Sequence, residues 1–432
     1  MATPSDTAPR VVVVGAGFAG FHAARGLSRR LAGVAEIVVV NSTDYFLYLP
    51  LLPEVAAGIL DPRRVAVSLA ATLPGVRLRV GKVHAVDLDA RQVSYTDPEG
   101  GTHHMGYDRL VLAVGSVNKL LPIPGVAAHA HGFRGIAEAL YLRDHIIRQV
   151  ELAATSDPEL RAARCTFVVV GAGYTGTEVA AHGVLLTAEL ARGNPELAGQ
   201  PMRWLLLDLA PRVLPELDPR LSATADRVLR ERGVQVLTRM SVDKATAEGV
   251  RLSNGKFVAT RSLIWCVGVR PDPLVDQLGL PLVNGRIAVD PQLRVADQPG
   301  VFACGDAAAV PDPARPGQIT AMTAQHAVRH GALAARNVAA SLGYGHWSTY
   351  RHRDLGFVVD LGGREAAANP LHVALSGLPA KAVTRGYHLL AMPGNRLHTA
   401  VDWVLDAALP RQRVQLGLVR APSVPLDTTP LR

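Results

Sequence analysis

Val11-Val12-Val13-Val14-Gly15-Ala16-Gly17-Phe18-Ala19-Gly20 and Val168-Val169-Val170-Gly171-Ala172-Gly173-Tyr174-Thr175-Gly176 carry the same turn twice in one chain of 432 residues. Each is a β-branched run that meets G-x-G-x-x-G and passes at once into a helix-forming stretch. The first Gly makes the tight turn, the second lets backbone approach a pyrophosphate, and the third lets helix pack on strand. The helix start then offers unpaired N–H groups and partial positive charge to the phosphates. One such match is a weak signal. Two, each in strand–turn–helix context, imply two dinucleotides on one chain and electron transfer between them.

Around these turns the chain reads as an α/β protein with two Rossmann-like units. In the first, Val11–Val14, Glu36–Val40 and Arg109–Val114 read as buried parallel strands, with Phe18–Leu31 as crossover helix. The piece from 61 to 97 reads as a helix plus a small antiparallel ribbon. In the second, Cys165–Val170 and Trp204–Leu207 open the unit, and Val234–Thr238, Lys244–Arg251 and Ser262–Val267 continue it. Arg286–Val289 and Val301–Ala303 return to the first unit, and Thr320–Ser341 is a long helix. Beyond Gly343 the pattern changes to short strands, such as Gly356–Leu361, and two amphipathic helices.

Composition excludes more than it selects. A net charge of +8 suggests an anionic partner. The basic residues are overwhelmingly Arg, however, with Lys only at 82, 119, 244, 256 and 381. No basic run has interleaved aromatics of the kind that binds single strands, so nucleic acid is not expected. The three Cys (165, 266 and 304) sit in or beside apolar runs, which argues against a disulfide framework and for a reducing compartment. No secretory leader and no bilayer-spanning run is read, giving a cytoplasmic expectation. His326 and His330 share a helix face but lack a third ligand, so no metal is expected.

The acid expected after the second strand of a dinucleotide unit bonds a ribose hydroxyl. Asp208 fills that place in the second unit, where its charge would repel a 2′-phosphate and favour NADH over NADPH. Asn41 stands there in the first unit. A third element, Gly300-Val-Phe-Ala-Cys-Gly305-Asp306, can place a carboxylate on a ribityl chain. Together with Leu112-Ala113-Val114-Gly115-Ser116, it resembles the pattern of flavoproteins that hold FAD in one domain and a nicotinamide nucleotide in the next.

The segment from Asn41 to Ala57, which includes Tyr45-Phe46-Leu47-Tyr48-Leu49-Pro50-Leu51-Leu52, has no Cys, and this excludes the disulfide-reductase chemistry. It resembles type II NADH dehydrogenases, the non-pumping NADH:quinone oxidoreductases with a flavoprotein fold of the pyridine nucleotide-disulfide oxidoreductase kind. The resemblance continues in Gly171–Ala180, in Ile264-Trp265-Cys266-Val267-Gly268-Val269, in Thr323-Ala324-Gln325-His326-Ala327, and in Gly386–Leu390 with Asn395, Arg396 and Trp403. It implies FAD held by Gly15, Gly17, Phe18, Gly20, Asn41, Ala113, Gly115, Gly305, Asp306 and Ala324. It implies NADH held by Gly171, Gly173, Tyr174, Gly176, Glu178, Asp208 and Gly268. Glu178, matched to an acid in the first helical turn, and Gln325 are the implied catalytic residues, at the nicotinamide and the quinone. The family usually has a second Gln four residues after the first; this chain has Arg329.

The expected domains are residues 1–120 with 280–342 for FAD, 121–279 for NADH, and a C-terminal region from 343 to 432. In that last region Leu397, Val401, Val404, Leu405 and Ala408 fall on one helix face, with Lys381, Arg385, Arg396, Arg411 and Arg413 around it. Such a helix suits an anionic membrane surface, the inner face of the cell membrane by the resemblance, or a homodimer contact. The alternatives to a quinone reductase are a soluble NADH diaphorase, a sulfide:quinone reductase, or an FAD- and NADH-binding sensor with vestigial turnover.

Overall fold

The computed structural model describes residues 8–352 and 354–427. They form two compact units, each assembled from three stretches of chain. Of the described residues, the first comprises 8–47, 66–117 and 269–352; the second comprises 48–65, 118–268 and 354–427. These boundaries differ from the expected ones. Residues 48–65 leave the first unit, 269–279 and 343–352 join it, and the chain from 354 packs into the second instead of standing apart.

Each unit has a five-stranded sheet that is parallel throughout. In the first the order is Val301–Ala303, Arg109–Leu112, Arg10–Val14, Glu36–Asn41, Val76–Val80. In the second it is Ala130–His131, Ser262–Trp265, Thr166–Val170, Arg203–Asp208, Val234–Thr238. The central strands, Val11 to Val14 and Phe167 to Val170, are buried along their length, as strands covered on both faces must be. The expected strand Lys244–Arg251 is instead a hairpin: Val242–Ala245 and Gly249–Leu252 run antiparallel, and Phe257–Ala259 completes a separate ribbon. Thr246 N–H donates to the Gly249 carbonyl, a tight turn that residue alternation along the run does not reveal. Arg286–Ala288 pairs with Ala308–Ala309 and stays outside the main sheet, whereas Val301–Ala303 joins it.

The helix expected from Thr320 begins later, at Ala324, and runs to Ser341, with the Thr323 hydroxyl accepting the His326 N–H at its start. It lies along Phe18–Arg30, and glycine permits the close approach. A Cβ on Gly331 would stand 2.1 Å from the Ala19 carbonyl oxygen.

Candidate functional site

The two glycine turns close by the same physics. Gly15 and Gly171 hold φ of +90° and +101°, where a side chain is strained. A Cβ on either would strike a carbonyl oxygen, Ala113 at 2.4 Å or Cys266 at 2.2 Å. A Cβ on Gly20 or Gly176 would fall within 2 Å of the carbonyl of Gly15 or Gly171. Around Gly17 and Gly173 there is open space, as a cradle for phosphates requires.

The residue after the second strand differs between the units because its neighbours differ. Asp208 Oδ2 accepts the Ala172 N–H at 2.6 Å and its Oδ1 accepts the Ala210 N–H at 2.7 Å. Asn41 Oδ1 accepts the Ala16 N–H at 2.8 Å, but its Nδ2 donates to the Thr43 carbonyl at 2.9 Å. Two donors call for a carboxylate; a donor and an acceptor call for an amide. Either side chain thus fixes its own glycine turn.

In the first unit Asp306 comes to the first turn, where a Cβ on Gly305 would lie 2.8 Å from the Ala19 methyl. The Ser116 hydroxyl donates to Asp306 Oδ2 at 2.6 Å, which leaves Oδ1 for a ligand hydroxyl. Sequence reasoning missed Arg286, which is buried and donates to the carbonyls of Asp306 and Thr320 at 3.1 and 2.6 Å. Its guanidinium holds the Gly-Asp turn to the segment leading into Ala324. Phe18 packs edge-on against Phe46, with centroids 5.0 Å apart. Gln325 is half-buried at the helix start, and Arg329 Nη1 donates to its carbonyl at 2.9 Å. These residues fit FAD: a backbone cradle, a ribose-facing amide and a half-engaged carboxylate. The second unit fits a nicotinamide nucleotide through Asp208, the open turn at Gly173, and the buried Tyr174 hydroxyl, which lacks a hydrogen-bond partner among the described residues.

Glu178 is the fifth residue of the helix Tyr174–Arg192, one turn beyond the expected first turn. The helix dipole therefore contributes less to it than its neighbours do. It belongs to a polar cluster inside the second unit. Its Oε1 accepts the Asp360 N–H at 3.0 Å. Lys381 Nζ donates to both Asp360 oxygens, at 2.6 and 2.5 Å. His182, one turn on from Glu178, points Nε2 at Asp360 Oδ1 from 3.4 Å. Glu54 accepts the indole N–H of Trp403 at 2.5 Å, and its other oxygen is buried without a partner among the described residues.

Burial first, then the Asp360 charge, push the Glu54 carboxyl up to about 8. Burial also holds Glu178 well above the usual carboxylate range. Burial works in the same direction on Asp360, but His182 and Lys381 outweigh it and hold that carboxyl down. The cluster thus favours the ionised form at Asp360, beside Lys381, and shifts both glutamates towards their acid forms. Glu54, His182 and Asp360 also place ligand atoms within 4.8 Å of one another, a grouping that the sequence spacing did not reveal. Lys381 already supplies the cation at Asp360. The same lysine was expected on the basic rim of an exposed helix; it is buried instead.

The thiols are unreactive by environment. Burial raises Cys165 to about 11, and Cys266 and Cys304 to about 12.

Paired dinucleotide cradles of this construction define a class, and the chain belongs to the pyridine nucleotide-disulphide oxidoreductase family, which it matches over residues 9–331. Within that class it is similar to a type II NADH:quinone oxidoreductase of Mycobacterium tuberculosis, 30% identical over 415 residues, spanning 92% of this chain and 87% of that one. A second such enzyme from the same organism is 34% identical over 317 residues, 70% and 67% of the two chains. A demethylphylloquinone reductase of Synechocystis is 28% identical over 93% of this chain and 96% of its own. Among solved structures, the Plasmodium falciparum NDH2 in complex with NADH superposes with a TM-score of 0.86 at 17% identity, covering 94% and 99% of the chains.

Proposed function

We propose that the chain is an FAD-dependent NADH dehydrogenase that passes electrons on to a quinone without pumping protons. The observation that carries this reading is the pair of glycine cradles with different ribose-facing residues, Asn41 backed by Asp306 in one and Asp208 in the other. Flavin, when bound, accepts hydride from the nicotinamide and returns electrons to the second substrate. The protein positions and screens. Asp208 and Tyr174 orient NADH, and Asp208 opposes a 2′-phosphate. Glu178, kept as an acid by burial, offers a proton at Oε2 while Oε1 stays tied to the Asp360 N–H. Gln325, with Ala324 beside it, faces the quinone from the first turn of its helix.

The C-terminal helices support a peripheral location on the membrane. No helix among the described residues is long and apolar enough to cross a membrane. On Arg396–Ala408, Leu397, Val401, Val404 and Leu405 are exposed, while Trp403 turns inward. The surrounding cations are largely engaged within the second unit: Lys381 with Asp360, Arg411 with Asp406, Arg413 with Glu189. This face therefore docks on the inner membrane surface mainly through apolar insertion, with less help from anionic headgroups than the residue types imply. A homodimer contact through the same face is the competing use, and vesicle flotation separates the two. The raised thiols disfavour sulfide chemistry, which needs an accessible thiolate.

Anaerobic mixing of the oxidised holoenzyme with NADH tests the reading. The flavin's visible band is expected to bleach rapidly, and a menaquinone analogue is expected to restore it within turnover time. Bleaching without restoration would make the protein a diaphorase. The absence of bleaching would leave a nucleotide-binding protein.

A further inference from the structure

The first unit carries a cavity of about 590 Å³ on the outer side of the Ala324–Ser341 helix, closed by the segment 347–351. Its charge is one-sided. Arg329, Arg336 and Arg351 line it beside Ser348, Thr349 and Trp347, and no Asp or Glu does among the described residues. No ion pair joins Arg336 or Arg351 to a carboxylate among the described residues. Arg336 Nη1 reaches only the Ser348 hydroxyl, at 3.3 Å. Arg336 and Arg351 are exposed, so water and salt screen their repulsion to a modest level, and a bound anion lowers it further.

The cavity is also pre-formed. Asn337, fully buried, clamps residue 348 by donating Nδ2 to its carbonyl at 2.8 Å and accepting its N–H at 2.9 Å. The Tyr350 hydroxyl lies 2.6 Å from His326 Nδ1, and the Tyr350 N–H donates to the Pro291 carbonyl at 2.8 Å. The backbone leading into Arg351 is therefore held at Ser348 and Tyr350 before any ligand arrives, which lowers the ordering cost of binding.

We infer that this cavity is a binding site for a soluble ligand carrying a diphosphate, separate from both dinucleotide cradles. Three features select that chemistry. A lone carboxylate is satisfied by one planar guanidinium, whereas three guanidiniums with two hydroxyls match the many oxygens of linked phosphates. Arg329 and Arg336 are seven residues apart on one helix, about 10 Å along its axis, a span that a single phosphate does not fill. The volume falls in the range of small-molecule sites and well above that of one inorganic ion.

Calorimetry on the holoenzyme, kept saturated with NAD⁺ and titrated with inorganic pyrophosphate at about 0.1 M salt, tests the inference. One saturable site is expected, weakened at least tenfold in Arg336→Ala/Arg351→Ala. Arg29→Ala/Arg30→Ala removes the same charge from an exposed helix end elsewhere in the unit, and should weaken it less than twofold. Equal loss in both double variants would reduce the effect to net charge and overturn the site. So would binding seen only when NAD⁺ is omitted, or no saturable binding in the millimolar range. Displacement of pyrophosphate by phosphatidylglycerol vesicles would assign the cavity to lipid headgroups and overturn the soluble ligand.

Discussion

Replacing Glu54 by Gln should flatten the pH dependence of folding stability, and the size of the effect follows from where the carboxyl sits. Glu54 is buried, with one oxygen on the Trp403 indole and the other without a partner among the described residues. Burial raises it from 4.5 to about 8. Between those values the folded protein holds a proton that the unfolded chain has released. Stability is therefore full below about pH 4.5, falls as pH rises, and levels off above about pH 8. At 1.36 kcal/mol for each tenfold change in affinity, the loss across that window is about 3–5 kcal/mol. Gln keeps the shape and the acceptor for Trp403 but cannot ionise. Urea unfolding from about pH 5 to about pH 9, read by Trp emission, gives the answer. Trp204, Trp265 and Trp403 all belong to the second unit. The wild type should lose stability towards pH 8, and Glu54→Gln should lose markedly less, the remainder belonging to Glu178. Identical slopes in the two proteins would refute the placement of an un-ionised Glu54.

Asp208→Ala should lower kcat/KM for NADH by about tenfold through loss of a charged hydrogen bond, with a smaller loss for NADPH; steady-state kinetics with both cofactors would show it, and equal losses would mean the carboxylate serves only the turn. Gly331→Ala forces a methyl into the Ala19 carbonyl and should cost on the order of 3 kcal/mol, visible as a lower melting temperature and weaker flavin retention. Lys381→Met strips the buried Asp360 carboxylate of its cation and should destabilise the second unit by about 3–5 kcal/mol, measured by the same urea unfolding. Replacing Cys165, Cys266 and Cys304 together by Ala should leave NADH oxidation within about twofold of the wild-type rate, because none is a nucleophilic thiolate.

The two turns were legible from sequence because their chemistry is local. Positive φ, missing Cβ atoms and a strand running into a helix are written in nine or ten consecutive residues. Asp208, Asn41, Gly305 and Asp306 were legible as well, since each lies at a set place after a strand. The errors had physical causes. Lys244–Arg251 alternates polar residues with small apolar ones, as a strand can, yet the turn at 246–248 is set by a backbone hydrogen bond. Lys381 sits on an amphipathic helix and was given to its wet face, but the Asp360 carboxylate on the strand Val358–Asp360 draws it inside. Arg329 could be seen only as a departure; the cavity it lines needed residues 347–351 folded against it.

The sequence by itself determined the class of the molecule: two dinucleotide cradles, no redox cysteine pair, and an acid suited to NADH in the second unit. Those features depend on neighbours along the chain, and neighbours along the chain are what a sequence displays. Only the tertiary structure decided the protonation chemistry. Glu54, Glu178, His182, Asp360 and Lys381 come from four separate elements, up to 327 positions apart between Glu54 and Lys381. The charge each tends to carry depends on burial and on the neighbours it meets there, and no spacing rule carries that information.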